Sequence, residues 1–286
     1  MKLSLAISLM LITVFAVAQS KEANTLLWKI SGKDIKSPSY LYGTFHLMCP
    51  DDIKVTTELK NCFDATKQLY LEIDMDDPAL MQQMLANTVM RGDTTLPQLL
   101  TKAEYDALSA RFQSSTGIPL LLLNNLKPFL SMAAVFPSLL GCNGEDGWEK
   151  KLMEMAKSGN KEIKGLETVK DQLSLIDSIP YTIQAKMLLK TVMNMDSTKK
   201  GLQQLIEVYK AKDLNKILEL TKEDEEFSNY NWLMIDKRNA NWIPVIAQQA
   251  SVMPTFFAVG AGHLGGNNGL VNLLRKKGYS VTPVMY

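Results

Sequence analysis

Segments with the pattern of β-strands stand near both ends of this chain, and a long helical stretch separates them. Residues 26–46 alternate apolar and polar side chains on both sides of a turn, and 255–263 and 279–286 are further strand-like segments. Because a strand is stable only within a sheet, we expect strands from the two ends to meet in one sheet. We therefore predict an α/β fold, with a central mixed sheet from N- and C-terminal strands and a large helical insertion.

The insertion is predicted at about 77–160 and 180–250, within one domain that covers residues 19–286. Helical spacing of apolar side chains fills both blocks. Shorter strand-like segments occur at 68–74, before the first block, and at 161–168, between the two.

The first eighteen residues have the pattern of a signal peptide. Lys2 precedes an apolar run from Leu3 to Phe15, and Ala16-Val17-Ala18 fits a cleavage site. The run is too short to cross a bilayer, and no later segment has 18 uninterrupted apolar residues. We expect a periplasmic or secreted protein with no membrane span in the mature chain.

The charge balance argues against two classes of partner. Lys and Arg number 31 and Asp and Glu number 30, so no field of one sign attracts nucleic acid or an anionic membrane. The expected partner is a peptide or another small extracytoplasmic substrate. The sequence does not indicate the oligomeric state.

The three cysteines permit one disulfide in an exported protein. Cys62 shares a helical face with Leu59 and Phe63, which is typical of a buried small apolar side chain. Cys49 and Cys142 are in loops and are the favoured pair, although the sequence alone does not settle the pairing.

Four polar residues each end a predicted strand: His46, Glu72, Glu167 and His263. In open α/β sheets, ligands bind beyond the carboxyl ends of the strands. Two imidazoles and two carboxylates at one edge would suit a metal site or an acid–base site. Each residue also has a structural alternative, as a core histidine, a cap or an ion-pair partner, and Asp74 competes with Glu72.

Glycines accompany the only two histidines of the chain. Gly43 and Gly260 each lie three residues before a histidine, and Gly262 directly precedes His263. A glycine lets the backbone approach a bound group closely, so we predict cofactor-binding roles for all three. We also expect His263 near the start of the last helix, where free N–H groups favour an anion.

Arg238 is the fifth candidate site residue. It shares a helical stripe with Trp242 and Val245, so its guanidinium should be buried and needs an anionic partner. A bound ligand would be one such partner. A structural ion pair with Asp236 or Glu226 is the alternative.

With these motifs the chain resembles the TraB/GumN family, which is related to the Tiki metalloproteases and, more distantly, to the erythromycin esterases. The segments that carry the resemblance are "SPSYLYGTFHL", "LYLEIDM", "KGLETVKDQ", "DKRNANW" and "FFAVGAGHLGG". The resemblance implies an α/β fold with a helical insertion and a peptidase that requires a divalent metal. It also implies that His46 and His263 are the motif histidines, Glu72 and Glu167 their acidic partners, and Arg238 the family arginine.

The first functional hypothesis is an exported metal-dependent hydrolase, and the resemblance implies that it is a peptidase. His46, Glu72, Glu167 and His263 would supply the ligands for Mn, Co or Zn, since mixed nitrogen and oxygen ligands suit these ions. The glutamate that is not a ligand would be the general base, and Arg238 would stabilise the oxyanion. Two alternatives are a metal-free esterase-like hydrolase and a non-catalytic protein that binds a peptide, a signal or haem.

Overall fold

The computed structural model describes residues 24–32, 34–142, 147–221 and 229–286. The predicted signal peptide, residues 1–18, lies outside these ranges. The predicted fold class is confirmed: a mixed sheet with a large helical insertion.

The described residues form one six-stranded sheet. Its strands are β1 (Leu27–Ser31), β2 (Ser39–Thr44), β3 (Gln68–Leu71), β4 (Glu162–Gly165), β5 (Thr255–Gly260) and β6 (Ser280–Val284). The order across the sheet is β4-β3-β5-β2-β1-β6. The hairpin β1–β2 and the pair β1–β6 are antiparallel, whereas the other pairs are parallel. The two ends of the chain therefore meet in one sheet.

The four parallel strands end at a common edge. β5 pairs with β2 so that Thr44 faces Gly260, and β3 pairs with β4 so that Leu71 faces Gly165. The carboxyl ends of β2, β3, β4 and β5 thus open in the same direction, as expected for parallel neighbours.

The helices fill the intervals between the strands. They are α1 (Thr57–Asp64), α2 (Leu80–Asn87), α3 (Leu96–Leu99), α4 (Lys102–Thr116), α5 (Pro128–Ser131), α6 (Pro137–Leu140), α7 (Trp148–Ser158), α8 (Val169–Ile176), α9 (Tyr181–Met193), α10 (Met195–Lys210), α11 (Leu214–Leu220), α12 (Lys237–Val252) and α13 (Leu270–Lys276). One turn of π-helix, Trp232–Asp236, leads into α12. Local sequence signals set several of the bounds: a Thr101–Glu104 capping box opens α4, and Gly117 ends it with φ of +74°.

The described residues form two large apolar cores and a small third cluster on α8. The larger core surrounds the sheet, with Trp28, Tyr42, Phe256 and Trp242 fully buried. The second lies within the insertion and joins Leu108 and Phe112 to Leu188 and other residues of α9. Both helical blocks therefore contribute to one separate core beside the sheet.

A disulfide joins Cys49 to Cys142, and their Cα atoms are 6.0 Å apart. This is the pair that the sequence analysis favoured. Cys62 carries a free thiol and packs at the margin of the main core. Among the residues that the structure describes, no helix combines the length and apolar character needed to cross a membrane.

Candidate functional site

The parallel strands deliver four polar side chains to one edge of the sheet. His46 lies two residues after β2, Glu72 directly follows β3, and Glu167 lies two residues after β4. His263 ends a short 3-10 helix, Ala261–His263, that continues from β5. The strand-end rule therefore places all four at the same edge, and Arg238 reaches them from the first turn of α12.

Arg238 holds the two glutamates together. Its Nη2 donates to Oε2 of Glu72 at 2.5 Å and to Oε1 of Glu167 at 2.6 Å, and Nε donates to the same Glu167 oxygen at 2.9 Å. Nη1 donates to the carbonyl of Met234 at 3.2 Å and lies 3.1 Å from Nε2 of His263. All five N–H groups of this buried guanidinium are thus directed at protein acceptors.

The two glutamates respond differently to this environment. Burial opposes ionisation of Glu72, but the charge of Arg238 and the nearby imidazoles outweigh it and hold the pKa of Glu72 well below its usual range. Oε1 of Glu72 also accepts the backbone N–H of Gly260 at 2.8 Å. Burial raises the pKa of Glu167, and Arg238 offsets this only in part. Trp242 Nε1 donates to Oε2 of Glu167 at 3.2 Å, so both oxygens of Glu167 are engaged.

His263 is buried and neutral. Its Nδ1 lies 2.7 Å from Oδ1 of Asn239, and its Nε2 is 3.8 Å from Oε1 of Glu72. Burial, together with the positive charge of Arg238, lowers the pKa of His263 to about 3 against the pull of Glu72. The ring therefore carries no charge at neutral pH.

His46 has the opposite character. Its side chain is 61% exposed, and its Nδ1 lies 2.9 Å from Oε1 of Glu149. Partial loss of hydration disfavours the imidazolium form, but the exposed ring keeps much of its contact with water, and the hydrogen bond and charge of Glu149 raise the pKa of His46 to about 9. Burial also works against the Glu149 carboxylate, yet His46 lowers the pKa of Glu149 below its usual value.

Sequence reasoning missed Glu149 and Asn239, which contact the two histidines. Asn239 directly follows Arg238, so it does not lie on the helical stripe that Arg238 shares with Trp242. It is nevertheless fully buried. Glu149 is the second residue of α7 and follows Gly147 and Trp148. An acidic residue in the first turn of a helix is normally explained by its favourable interaction with the helix dipole. The sequence therefore provides no reason to expect a contact between Glu149 and His46.

Several expectations about the site need correction. His263 is not near the start of the last helix, because six residues, 264–269, separate it from α13. Asp236 accepts a hydrogen bond from Asn268 and is not the partner of Arg238, which pairs with Glu72 and Glu167. Glu226, the other suggested partner, lies outside the described residues.

The competing acid, Asp74, interacts with Asp76, and neither histidine contributes to the shift of its pKa. Its Oδ1 is buried without a hydrogen-bond partner. Burial and a hydrogen bond with Asp76 raise its pKa above the usual value.

The three candidate glycines have different surroundings. A Cβ built on Gly260 would lie 3.3 Å from Oε1 of Glu72, 3.7 Å from Cδ2 of His263 and 3.9 Å from Nε2 of His46. The space beside Gly260 is therefore where the polar groups meet. A Cβ on Gly43 would instead lie 2.7 Å from a methyl group of Leu264, and one on Gly262 would be 3.9 Å from Ile235.

His46 and Glu72 line a cleft of about 450 Å³. Glu149, Gln172 and Lys150 add polar groups to it, while its apolar lining includes Leu47, Ile73 and Met75. The Nε2 group of Gln172 lies 3.3 Å from an oxygen of Glu72 and 3.3 Å from one of Glu167, so it connects the cleft to the buried carboxylates.

The side chains beside Gly260 offer nitrogen and oxygen donors of the kind that bind a divalent metal. Within the described ranges, no group of three His, Cys, Asp or Glu side chains stands ready to hold an ion. The donors are nevertheless of the right kind, and Nε2 of His263 and Oε1 of Glu72, 3.8 Å apart, are within the roughly 4.2 Å that two ligands of one ion can span. The gap beside Gly260 would receive the ion. Nε2 of His263 already accepts a hydrogen bond from Arg238. An ion can bind to this nitrogen only if that hydrogen bond breaks.

Comparison with known proteins matches nearly all of the described chain. A model of the TraB/PrgY/gumN family matches residues 26–283. Metalloprotease TIKI1 of Danio rerio is 23% identical over 321 residues, which cover 91% of this chain and 63% of that protein. Metalloprotease TIKI1 of Homo sapiens is 21% identical, with coverage of 92% and 62%. The Metalloprotease TIKI homolog of Nematostella vectensis is 21% identical, with coverage of 91% and 67%.

The chain thus spans about three fifths of the length of the two TIKI1 proteins. No solved structure matches it significantly.

Proposed function

The chain belongs to the TraB/PrgY/gumN family, and from that premise we propose that it is a metal-dependent hydrolase that cleaves peptide bonds. One observation carries the proposal: His46, His263 and Glu72 surround the same space beside Gly260, at the edge of an open cleft. The relatives that are named metalloproteases support the choice of reaction.

His46, His263 and Glu72 are the ligands that we propose. Two imidazole nitrogens and one carboxylate form a mixed set that suits Mn, Co or Zn. When bound, such an ion supplies Lewis-acid polarisation of a carbonyl and makes water more acidic. Binding also requires His46 to lose its proton, because only the neutral imidazole is a ligand.

Glu167 and Arg238 support the ligands in this proposal. Every oxygen of Glu167 and every N–H of Arg238 already has a protein partner, so neither is free to contact a substrate. We assign Glu167 to fixing Arg238, and Arg238 to fixing Glu72, instead of the general-base and oxyanion roles that the sequence suggested.

The cleft would bind the polypeptide beside the ligands. Its apolar residues, Leu47, Ile73 and Met75, can exclude water around a substrate side chain, and the Gln172 amide can orient a backbone group.

We place the reaction in the periplasm or outside the cell. The signal-peptide pattern of residues 1–18 supports this location. The disulfide between Cys49 and Cys142 also supports it, because such bonds persist in oxidising compartments.

The test combines metal binding with peptide hydrolysis. Purified protein is stripped with chelator, titrated with Mn²⁺, Co²⁺ and Zn²⁺, and assayed on a library of quenched fluorescent peptides. Wild-type protein should bind one ion and cleave peptides, and His46→Ala and His263→Ala should each lose both properties. Glu154→Ala, on the exposed face of α7, is the control. Unchanged metal content in both histidine variants would overturn the metal assignment.

A metal-free hydrolase is the second candidate, and the Arg238 contact favours it. With Nε2 of His263 satisfied by Arg238, only His46 presents an imidazole to the cleft, and Glu149 orients that ring. Such an enzyme would keep its activity in EDTA. Its rate would rise with pH toward about 9, as His46 loses its proton.

A further inference from the structure

Each of the two histidines has an oxygen-bearing side chain at Nδ1, and both of these side chains come from the first turn of a helix. Glu149, at the start of α7, lies 2.9 Å from Nδ1 of His46. Asn239, at the start of α12, lies 2.7 Å from Nδ1 of His263. The two helices belong to different blocks of the insertion, so the match does not follow from a repeated segment.

The contacts of Asn239 determine which nitrogen of His263 carries the proton. Nδ2 of Asn239 donates to the carbonyls of His263 and Asn268, at 3.2 and 2.8 Å, so Oδ1 is the atom that faces the ring. An oxygen there can only accept, which assigns the proton to Nδ1. Arg238 gives the same answer independently, because its Nη1 can only donate and it lies 3.1 Å from Nε2.

The carboxylate of Glu149 determines the form of His46 in the same way. An ionised carboxylate only accepts hydrogen bonds, so Nδ1 of His46 carries the proton and Nε2 keeps its lone pair in the neutral ring. Thr44, the last residue of β2, donates to the same Oε1 at 2.5 Å and fixes it. The backbone at Gly147 is pressed against this loop, since a Cβ there would lie 2.6 Å from the carbonyl oxygen of His46.

The two Nε2 atoms lie beside the site, and that of His263 also accepts from Nη1 of Arg238 at 3.1 Å. Nε2 of His46 lies 3.9 Å from the Cβ position of Gly260, and Nε2 of His263 faces Oε1 of Glu72 at 3.8 Å. Metal-binding histidines commonly donate their second ring N–H to a carboxylate or carbonyl oxygen, which sets the ring orientation and the tautomer. Both histidines have this arrangement.

We propose that Glu149 and Asn239 are positioning residues, each of which holds one neutral imidazole in the Nδ1–H form, so that Nε2 is the unprotonated nitrogen of both rings and the atom that would bind an ion. The purpose of this arrangement rests on the proposed function, but the arrangement itself can be measured without metal or substrate. Neither residue contacts the reacting atoms.

The first experiment uses the fact that the chain has only two histidines. Long-range ¹H–¹⁵N spectra of the wild-type protein in EDTA give two resolvable ring patterns, which His46→Gln assigns. His263 is read at pH 7 and His46 at pH 10, where each ring is neutral. The expected pattern has an unprotonated nitrogen that correlates with both ring carbon protons, which identifies Nε2. An Nε2–H pattern for either ring would overturn the proposal for its partner.

The second experiment measures Mn²⁺ affinity from the free-ion electron paramagnetic resonance signal. Glu149→Ala should bind Mn²⁺ about 10- to 100-fold more weakly than wild type, the usual cost of losing such a partner. Glu149→Gln should lose less, because an amide oxygen can still accept from Nδ1. Glu154→Ala, from the same helix, should bind as wild type does.

The outcomes separate this proposal from the proposed function. Equal Mn²⁺ affinity in Glu149→Ala and wild type would overturn the positioning role of Glu149. If wild-type protein binds no metal, the metal-dependent function fails, while the ¹⁵N spectra still decide the tautomers. A circular-dichroism melt of each variant shows whether a loss of affinity comes from a loss of fold.

Discussion

Arg238 and His263 are in direct contact, with Nη1 3.1 Å from Nε2, although both are polar and nearly inaccessible to solvent. The contact is possible because His263 is neutral, so the guanidinium meets a lone pair rather than a second positive charge. It also means that the groups best suited to bind an ion are satisfied by the protein before an ion arrives. Any ligand of His263 must compete with Arg238.

Loss of the Arg238 charge should destabilise the fold strongly. Arg238→Met leaves Glu72 and Glu167 as buried, uncompensated carboxylates, which should lower the free energy of unfolding by about 3–5 kcal/mol. Denaturant unfolding measures this. The exposed Arg91 pairs with Asp177, which also contacts Lys127, so Arg91→Met should cost less than about 1 kcal/mol.

A double variant checks the cause. Adding Glu167→Gln to Arg238→Met removes one of the unpaired charges and should restore part of the lost stability. Additive losses from the two changes would contradict the role of Arg238 as the compensating charge.

The substitution Gly260→Ala should prevent metal binding without unfolding the protein. The Cβ of Gly260→Ala would lie 3.3 Å from Oε1 of Glu72, a tight contact that small shifts relieve, but it would occupy the space where the histidines and Glu72 meet. We expect a folded protein with little metal binding or hydrolysis. Gly262→Ala is the matched control, since its Cβ meets only Ile235 at 3.9 Å, and it should retain both. Full metal binding by Gly260→Ala would show that the ligand lies elsewhere.

The two histidines predict opposite effects of pH on stability. The pKa of His263 is lowered to about 3, so its contribution to stability is complete above about pH 6.5 and is lost as the pH falls toward 3. The pKa of His46 is raised to about 9, so its contribution is complete below about pH 6.5 and is lost as the pH rises through 9. The contribution of His263 to the unfolding free energy should therefore fall by about 2 kcal/mol between pH 7 and 5 in EDTA, and His46 should offset part of this fall.

His263→Gln provides the comparison, because glutamine does not titrate. The variant should be less stable at pH 7 but should lack most of the decline between pH 7 and 5. An equally steep decline in the variant would mean that His263 is not the group responsible.

The disulfide should contribute to stability and to the geometry around His46. It closes a separation of 93 residues, for which chain entropy predicts about 4–5 kcal/mol of unfolding free energy. It also ties the loop of His46 to the segment that leads into α7 and Glu149. Cys49→Ser with Cys142→Ser should therefore lower both the unfolding free energy and the Mn²⁺ affinity. Cys62→Ser should change affinity little, and equal losses in both variants would rule out a specific effect of the bridge.

Sequence reasoning was most successful where a physical rule links distant segments. Strands need partners, so a shared sheet for the two chain ends was predictable, although alternation did not indicate that β1 pairs with β6. Parallel strands share a carboxyl edge, so His46, Glu72, Glu167 and His263 could be placed on one side of the sheet. The arginine stripe on α12 correctly indicated a buried guanidinium.

The missed features depend on how helices pack, which spacing does not encode. Asp236 and Glu226 were near Arg238 in sequence, whereas its real partners are 71 and 166 residues away. Glu149 contacts His46 where the backbone of Gly147 packs against the carbonyl of His46, which the spacing of residues along α7 does not reveal. The position of His263 was misjudged because Gly266, with φ of +80°, turns the chain before the last helix can begin.

β5 lies between β3 and β2, and so it joins two halves of the sheet that have no other link within it. A nascent chain that stops before Thr255 holds a hairpin and a separate strand pair, and it has neither Gly260 nor His263. The candidate site is therefore complete only when residues 255–286 have been made and β5 has inserted into the middle of the sheet.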